Sequence, residues 1–316
     1  MGVGADGIVV TSVDLEDDAA LDELLAFGWR HGRPRAKTAV GYREVTFNTD
    51  ARIGFVARRT GGPGLCAAAL PTITAAIGLD QVQLNAFLAP GDQAAFDAVL
   101  ARVADWAREQ SATHVTAHVS APSDEDLAAW RAAGYEQVGE RTRVVRAVTY
   151  EDATTEPVEV AGVRIVALVD HPELEAGAEA LWRASHEDVP SALRFDSADL
   201  PAMRDELQLA TDEPMPSLVL VAVADDDEVV GLGVGLRRFA DRPDVVGHRM
   251  TATARGWRGR GVARALKVEQ LRRAAREGVT LLEASNDSGN APMQAINERL
   301  GYQPEYRLVL MRRAVG

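Results

Sequence analysis

Cysteine is almost missing from this chain. Cys66 is the single one in 316 residues, which excludes intramolecular disulfides and cysteine-based metal clusters and points to a reducing cytoplasm. Lysine is nearly as scarce. Thirty-two arginines stand against Lys37 and Lys267, a bias read here as genome composition. Aromatic residues make up only 5%, and Trp257 alone accompanies the main basic cluster, too little stacking surface for a nucleic-acid site. No apolar run reaches the roughly 18 residues of a membrane-spanning helix; Ser217 to Ala224 is about the longest, and Asp225 ends it. The start, Met1-Gly2-Val3-Gly4-Ala5-Asp6, has neither a secretory pattern nor the Ser/Thr of a myristoylation site. The histidines and the lone cysteine suggest no metal site, and no G-x-S-x-G elbow supports a hydrolase triad.

What is present is an acidic globular protein. A hydrophobic fraction of 47% supplies real cores, and 316 residues suggest two domains. The net charge of −13 argues against nucleic acid and anionic membranes as partners and favours solubility or a cationic substrate. The expected assembly is a monomer or a homodimer.

The chain contains two copies of one unit. A short amphipathic helix ending in Gly-Tyr occurs at Leu127–Tyr135 and again at Met293–Tyr302, and a slide of 167 residues superposes the two Gly-Tyr pairs. The same slide lays the helix Phe96–Gln110 on Ala263–Glu277 and the strand Thr113–Val119 on Thr280–Asn286. Trp29-Arg30 matches Trp182-Arg183 at an offset of 153, so the second copy holds about 14 extra residues in its first half. One long period seen twice is a duplication rather than a solenoid. Each copy opens with a strand (Ile8–Val13; Val163–Val169) and a helix (Asp17–His31; Pro172–Glu187). A hairpin follows, clearest at Ser217–Ala224, Asp225-Asp226-Asp227 and Val229–Arg237, and terminal strands close the copies at Arg141–Val148 and Tyr306–Met311. The order predicts a mixed α/β fold, divided near 151–160 into domains over 1–150 and 161–316. Gly231, Gly233 and Gly235 alternate within a strand, as expected of a sheet face built from small residues.

Chemistry concentrates at 251–267. A strand Thr251-Ala252-Thr253 leads into Arg258-Gly259-Arg260-Gly261-Val262-Ala263-Arg264, where a long helix begins. Nine basic residues lie between Arg249 and Arg276 against one acid, Glu269. Glycines let a ligand approach the backbone, and the unpaired amides that open a helix attract phosphate. The dinucleotide fingerprint fails because Arg264 occupies the third glycine position, and the nucleotide P-loop fails because Val262-Ala263 replace Lys-Ser/Thr.

Arg258-x-x-Gly261-x-Ala263 resembles the acyl-CoA pyrophosphate loop of the GNAT superfamily of N-acetyltransferases. Asn286, Asn290, Met293, Asn297 and Gly301-Tyr302 resemble that family's next block. The resemblance implies two tandem GNAT-like domains, each a mixed, mostly antiparallel twisted sheet flanked by helices, as in bacterial double-GNAT enzymes such as mycothiol synthase. It implies acetyl-CoA as co-substrate, direct acetyl transfer to an amine of a small acceptor, and no metal. Thr251, Ala252 and Thr253 would serve the thioester carbonyl. Arg258, Gly259, Arg260, Gly261, Val262, Ala263 and Arg264 would hold the pyrophosphate, and Asn286, Asn290 and Asn297 would line the pantetheine arm. Asn297 stands where many relatives carry a tyrosine acid, and an amide cannot deliver a proton. Tyr302 and Tyr306 are substitutes for it, and Glu283 and His248 are candidate bases, His248 because imidazole titrates near neutrality. Glu187, Asp188, Asp196 and Asp199 are candidates for an acidic acceptor pocket. In the first copy the loop positions become Gly91, Ala94 and Phe96, with Asp92 beside them. The asparagines become Val119, Ser123 and Trp130, so that half is expected to bind no cofactor. A rival expectation is a protein that binds acyl-CoA without turnover.

Overall fold

A computed structural model describes residues 7–31, 51–62, 64–73, 80–89, 91–188, 202–207, 209, 215–237 and 242–315. They form two compact units. The first draws on Met1–Arg141 and Tyr306–Gly316, the second on Thr142–Ser191 and Phe195–Glu305.

The first unit contains β1 (Ile8–Val13), α1 (Asp18–His31), β2 (Ala51–Arg52), β3 (Gly54–Arg59), β4 (Leu65–Ile73) and β5 (Gln81–Leu88). It continues through α2 (Gln93–Glu109), β6 (His114–Ser120), α3 (Asp124–Ala132) and the start of β7 (Glu136–Ala147). The second unit takes the end of β7 and continues with β8 (Val163–Ala167), α4 (Glu175–His186), α5 (Met203–Glu206), β9 (Val219–Ala224), β10 (Val229–Arg237) and β11 (Val245–Thr253). Then come α6 (Val262–Arg276), β12 (Leu281–Asp287), α7 (Ala291–Arg299) and β13 (Gln303–Ala314), most of which returns to the first unit.

Strand order is β1-β3-β4-β5-β6-β13 in the first unit and β7-β12-β11-β10-β9-β8 in the second. Hairpin neighbours are antiparallel, while β5–β6 and β11–β12, each joined through a helix, are parallel. The expected mixed α/β class and the tandem arrangement are what the chain adopts. His114 and His118 both lie on β6, where a rise of about 3.3 Å per residue sets them roughly 13 Å apart. Among the described residues no group of three or more His, Cys, Asp or Glu could hold a metal ion, and no described helix is long and apolar enough to cross a membrane.

Relative to the two sequence copies, the last strands are exchanged. β13 pairs antiparallel with β6 from Leu308↔Ser120 to Ala314↔His114, and Val309, Met311 and Val315 join the core of Phe96, Val99 and Trp130. The end of β7 lies beside β12, and Val144 packs with Leu271, Leu282 and Tyr302. Two arginines mark the exchange. Arg313 donates to the Ala133 carbonyl at the end of α3 (3.1 Å), and Arg146 donates to the Leu300 carbonyl after α7 (2.9 Å). Each offers a cation where a helix ends in unpaired carbonyls. Both pairs belong to one unit each, and the 167-residue shift relates one to the other.

In the second unit α6 lies very close to β10. A Cβ on Gly231 would come within 2.6 Å of Val262 Cγ1 and 2.9 Å of Ala222 Cβ, and one on Gly233 within 3.2 Å of Gln270. The glycine alternation is thus a bare sheet face for a helix to sit on, as its pattern suggested. Gly231→Leu is expected to lower stability by about 1–3 kcal/mol through overpacking, read as a reduced urea midpoint for the second unit.

Candidate active site

The site begins where β11 ends. A single 3-10 turn, Arg255–Trp257, leads to Gly259 (φ +76°) and Gly261 (φ +92°), and α6 follows. Left-handed backbone at both positions favours glycine, since a Cβ would crowd the following carbonyl. Gly261 is the N-cap and offers no side-chain acceptor to the first turn. The amides of Val262, Ala263 and Arg264 therefore keep their donors, as helix geometry requires. Arg258, Gly259, Arg260, Gly261 and Arg264 are exposed, Ala263 is half-buried and Val262 is buried. The Arg260 guanidinium stacks 4.8 Å over the Trp257 ring.

The guanidinium of Arg258 turns back on the protein. Its Nε donates to the Thr253 carbonyl at 3.2 Å, and its Nη2 donates to Asp188. Arg255 grips the same carboxylate with Nε (3.0 Å) and Nη2 (2.7 Å), and Glu187 lies 3.8 Å from it. Arg255 and Arg258 hold the Asp188 carboxyl far below the usual carboxylate range. Asp188, expected in an acceptor pocket, is instead committed to the arginines of the glycine turn. Asp196 and Asp199 lie outside the described residues.

A slot opens beside this turn. The parallel pair β11–β12 is joined only at Val245↔Leu281, Val246↔Leu282 and Gly247↔Glu283. Beyond that fork β11 runs on to Thr253 and β12 to Asp287, so the facing main-chain groups are not paired with each other. A register shift against β10 passes from Val234↔Met250 to Gly235↔His248, leaving Arg249 as a bulge just past the fork. Thr251 and Thr253 sit opposite Gly233 and Gly231 on the face that α6 covers, and the Thr253 hydroxyl is buried without a partner. Asn286 is buried on β12, where its Oδ1 accepts from Asn297 Nδ2 at 3.0 Å, and Asn297 Oδ1 is buried and unpaired. Asn290 caps α7, its Oδ1 accepting from the Met293 amide at 3.3 Å.

Of the expected acid–base residues, Glu283 is least suited. It is 5% exposed and ion-paired to both Arg143 and Arg242 (3.3 Å for the latter), so two cations already occupy its oxygens. Tyr302 and His248 meet, with the hydroxyl and Nε2 sharing a hydrogen bond of 2.5 Å. Burial pushes the Tyr302 phenol far above its ordinary value. Burial, then the charge of Lys267, holds His248 well below the ordinary imidazole range, so the expectation that His248 titrates near neutrality is corrected. The group that does is one the sequence reading passed over. Lys267 on α6 is 2% exposed, with its ammonium 4.9 Å over the Tyr302 ring, and burial pushes it down to about 7. Two signals were available. Lys267 interrupts the otherwise apolar run Ala265-Leu266-Lys267-Val268, and it is one of two lysines in an arginine-rich chain.

The first unit repeats the frame with different contents. The N-cap of α2 is Asp92, whose carboxylate accepts from the Ala95 amide (3.3 Å) and is gripped by Arg59 at 3.0 and 2.7 Å. An internal anion therefore fills the turn. Phe96 and Trp130 meet edge to face at 4.9 Å, and the cleft that remains is lined by Asn85, Phe87, His118 and these two rings.

Residues 178–302 match the Acetyltransferase (GNAT) family. The fold is that of tandem GNAT proteins, and the family match lies in the second half of the chain. Its structure is similar to a GCN5-related N-acetyltransferase from Sphaerobacter thermophilus, with TM-score 0.73 and 19% identity over 98% of this chain and 96% of that one. It is also similar to a tandem GNAT protein from the clavulanic acid biosynthesis pathway, with TM-score 0.71 and 21% identity over 98% and 99% of the two chains. A GCN5-related N-acetyltransferase from Kribbella flavida gives TM-score 0.54 and 17% identity over 77% and 86%. No curated protein sequence matches the chain.

The buried lysine makes stability depend on pH. Unfolded, Lys267 titrates near ~10.4; folded, it titrates at about 7. Between those values the unfolded chain binds the extra proton, so stability rises with pH across that window and the gain is absent below it. Urea midpoints from pH 6.5 to 9.5 are expected to rise in the wild type relative to Lys267→Met.

Proposed function

We propose that the second unit transfers the acetyl group of acetyl-CoA to an amine of a small, cationic acceptor. The observation that carries this reading is the uncapped first turn of α6, set behind Gly259 and Gly261 at the mouth of a slot between two parting strands. The residues present suit such a co-substrate at both ends. Backbone amides of 259–264 and the side chains of Arg258, Arg260 and Arg264 offer a positive, donor-rich turn to a diphosphate. The slot offers main-chain groups of Thr251 and Ala252 that β12 does not pair, together with Asn286 and Asn297, to an amide-bearing arm, the Thr253 carbonyl being held by Arg258. The distance along β11 from Thr253 back to the bulge at Arg249 is about 13 Å, which suits an extended pantetheine chain. At the bulge, a strand amide turned out of the ladder can stabilise charge on the thioester oxygen. Asn290, spent on its helix cap, shapes this wall rather than binding. Arg258 would have to exchange Asp188 for phosphate, a swap of one anion for another.

The acceptor must reach the thioester as a free amine, which an ordinary alkylammonium of pKa ~10.4 is not at neutral pH. A net charge of −13 favours approach of a cation. The first unit, its turn filled by Asp92 and its cleft narrowed by Phe96 and Trp130, is assigned no acetyl-CoA. A binding protein without turnover is the second reading, favoured by Asn297, which is buried against Asn286 and cannot protonate a thiolate.

Two measurements test these readings. Gly261→Val forces a β-branched residue into left-handed backbone at a cost of about 1–2 kcal/mol; it is expected to raise the Kd for CoA about tenfold or more while the far-ultraviolet spectrum is retained. Wild-type protein incubated with acetyl-CoA and a panel of small amines is expected to release free thiol. Tight CoA binding with no release across the panel would favour the second reading.

A further inference from the structure

Lysine is nearly excluded from this chain, yet the deepest cation of the second unit is a lysine. Arginine keeps its charge at any pH a protein meets, whereas lysine can shed its proton when desolvated. The position therefore uses lysine, which can lose its charge where arginine cannot, in a chain whose only other lysine is Lys37. This replaces the genome-composition reading for Lys267.

The surroundings explain why charge must be shed. Carboxylates on the neighbouring elements are held elsewhere: Glu269 by Arg272 and Arg273, Glu283 by Arg143 and Arg242, Asp152 by Arg146, and Glu206 by Arg249 of β11. Arg164 of β8 pairs with Asp227. Among the described residues none forms an ion pair with Lys267. The groups facing it are Tyr302 and, through the 2.5 Å hydrogen bond, His248. His248 Nδ1 and Gln270 Oε1 nearby are buried with no partner in hydrogen-bond geometry. His248 is also the first residue of β11 past the fork, where the slot closes. The cluster thus runs from α6 to the closed end of the slot.

We propose that Lys267 is the proton-exchanging residue of this site, acting through Tyr302 and His248 at the closed end of the slot. The inference rests on the acyl-transfer reading above and supplies the function that Asn297 lacks. The step balances with one proton. As the amine nitrogen bonds to the carbonyl carbon and the carbon–sulfur bond breaks, the nitrogen sheds a proton and the thiolate needs one. The Lys267 nitrogen lies over the face of the Tyr302 ring, so the exchange requires it to swing to the hydroxyl that His248 shares. Neutral Lys267 then takes the first proton through that pair, becomes ammonium while the thiolate forms, and returns the proton to sulfur. It begins and ends neutral.

Two experiments on the full chain test this. Lys267→Met is expected to reduce kcat about 10²-fold, the usual scale of acid–base catalysis, with the Kd for CoA changed less than about threefold and the limb of the pH–rate profile near 7 removed. Lys267→Arg is expected not to rescue the rate. Retention of rate and limb in Lys267→Met, or full rescue by arginine, would overturn the role. Should these variants fold poorly, the wild type labelled at lysine Cε and Nζ answers alone, because it has two lysine signals and Lys37→Arg assigns them. The Lys267 signal is expected to titrate near 7 and to shift its midpoint when CoA is added. A midpoint near 10, or no response in protein that demonstrably binds CoA, sinks this inference and leaves the function standing. Failure to bind CoA at all sinks the function itself.

Discussion

Everything chemical in the second unit depends on how closely α6 approaches β10. Three glycines on one face of that strand remove the side chains that would hold the helix away. Sitting low, α6 presents its first amides at the end of β11, and its inward face brings Gln270 and Lys267 into the sheet's interior. Gln270 survives there because its Nε2 donates to the Leu218 carbonyl at 2.9 Å. One packing decision thus sets both the glycine turn at the helix start and the buried lysine.

Charge is handled differently at the two ends of the slot. At the mouth, opposite charges neutralise one another in the open: Asp188 ties Arg255 and Arg258, as Asp92 ties Arg59 in the first unit. Such exposed pairs are worth little in stability and are readily exchanged for a better anion. At the closed end burial instead pushes Lys267 down to about 7, since a buried ammonium without a carboxylate is costly. An exchangeable ion pair suits binding and release, whereas a group near its titration point suits proton movement.

Much of this was legible in the residues. The glycine turn, the helix behind it and the Gly-Tyr ends are local patterns, and local patterns survive translation into structure. Phe96, Trp130 and Asp92 in place of Ala263, Asn297 and Gly259 announced the altered first turn. Long-range facts were hidden. Nothing near Glu283 in sequence hints that Arg143, 140 positions earlier, lies against it. His248 read as a neutral-range titrator because its burial and its proximity to Lys267 arise only once α6 has docked. The strand exchange was invisible for a related reason: β7 and β13 have similar patterns, so either suits either sheet.

That exchange has a consequence for how the two halves persist. The segment closing the second unit's sheet is encoded in the first copy, and the segment completing the first copy's own core is encoded in the second. A lineage that lost ligand binding in its leading half could still not discard it, because deletion would strip the second unit of a structural strand. Decay of one site and retention of its scaffold are therefore compatible outcomes of a single topology.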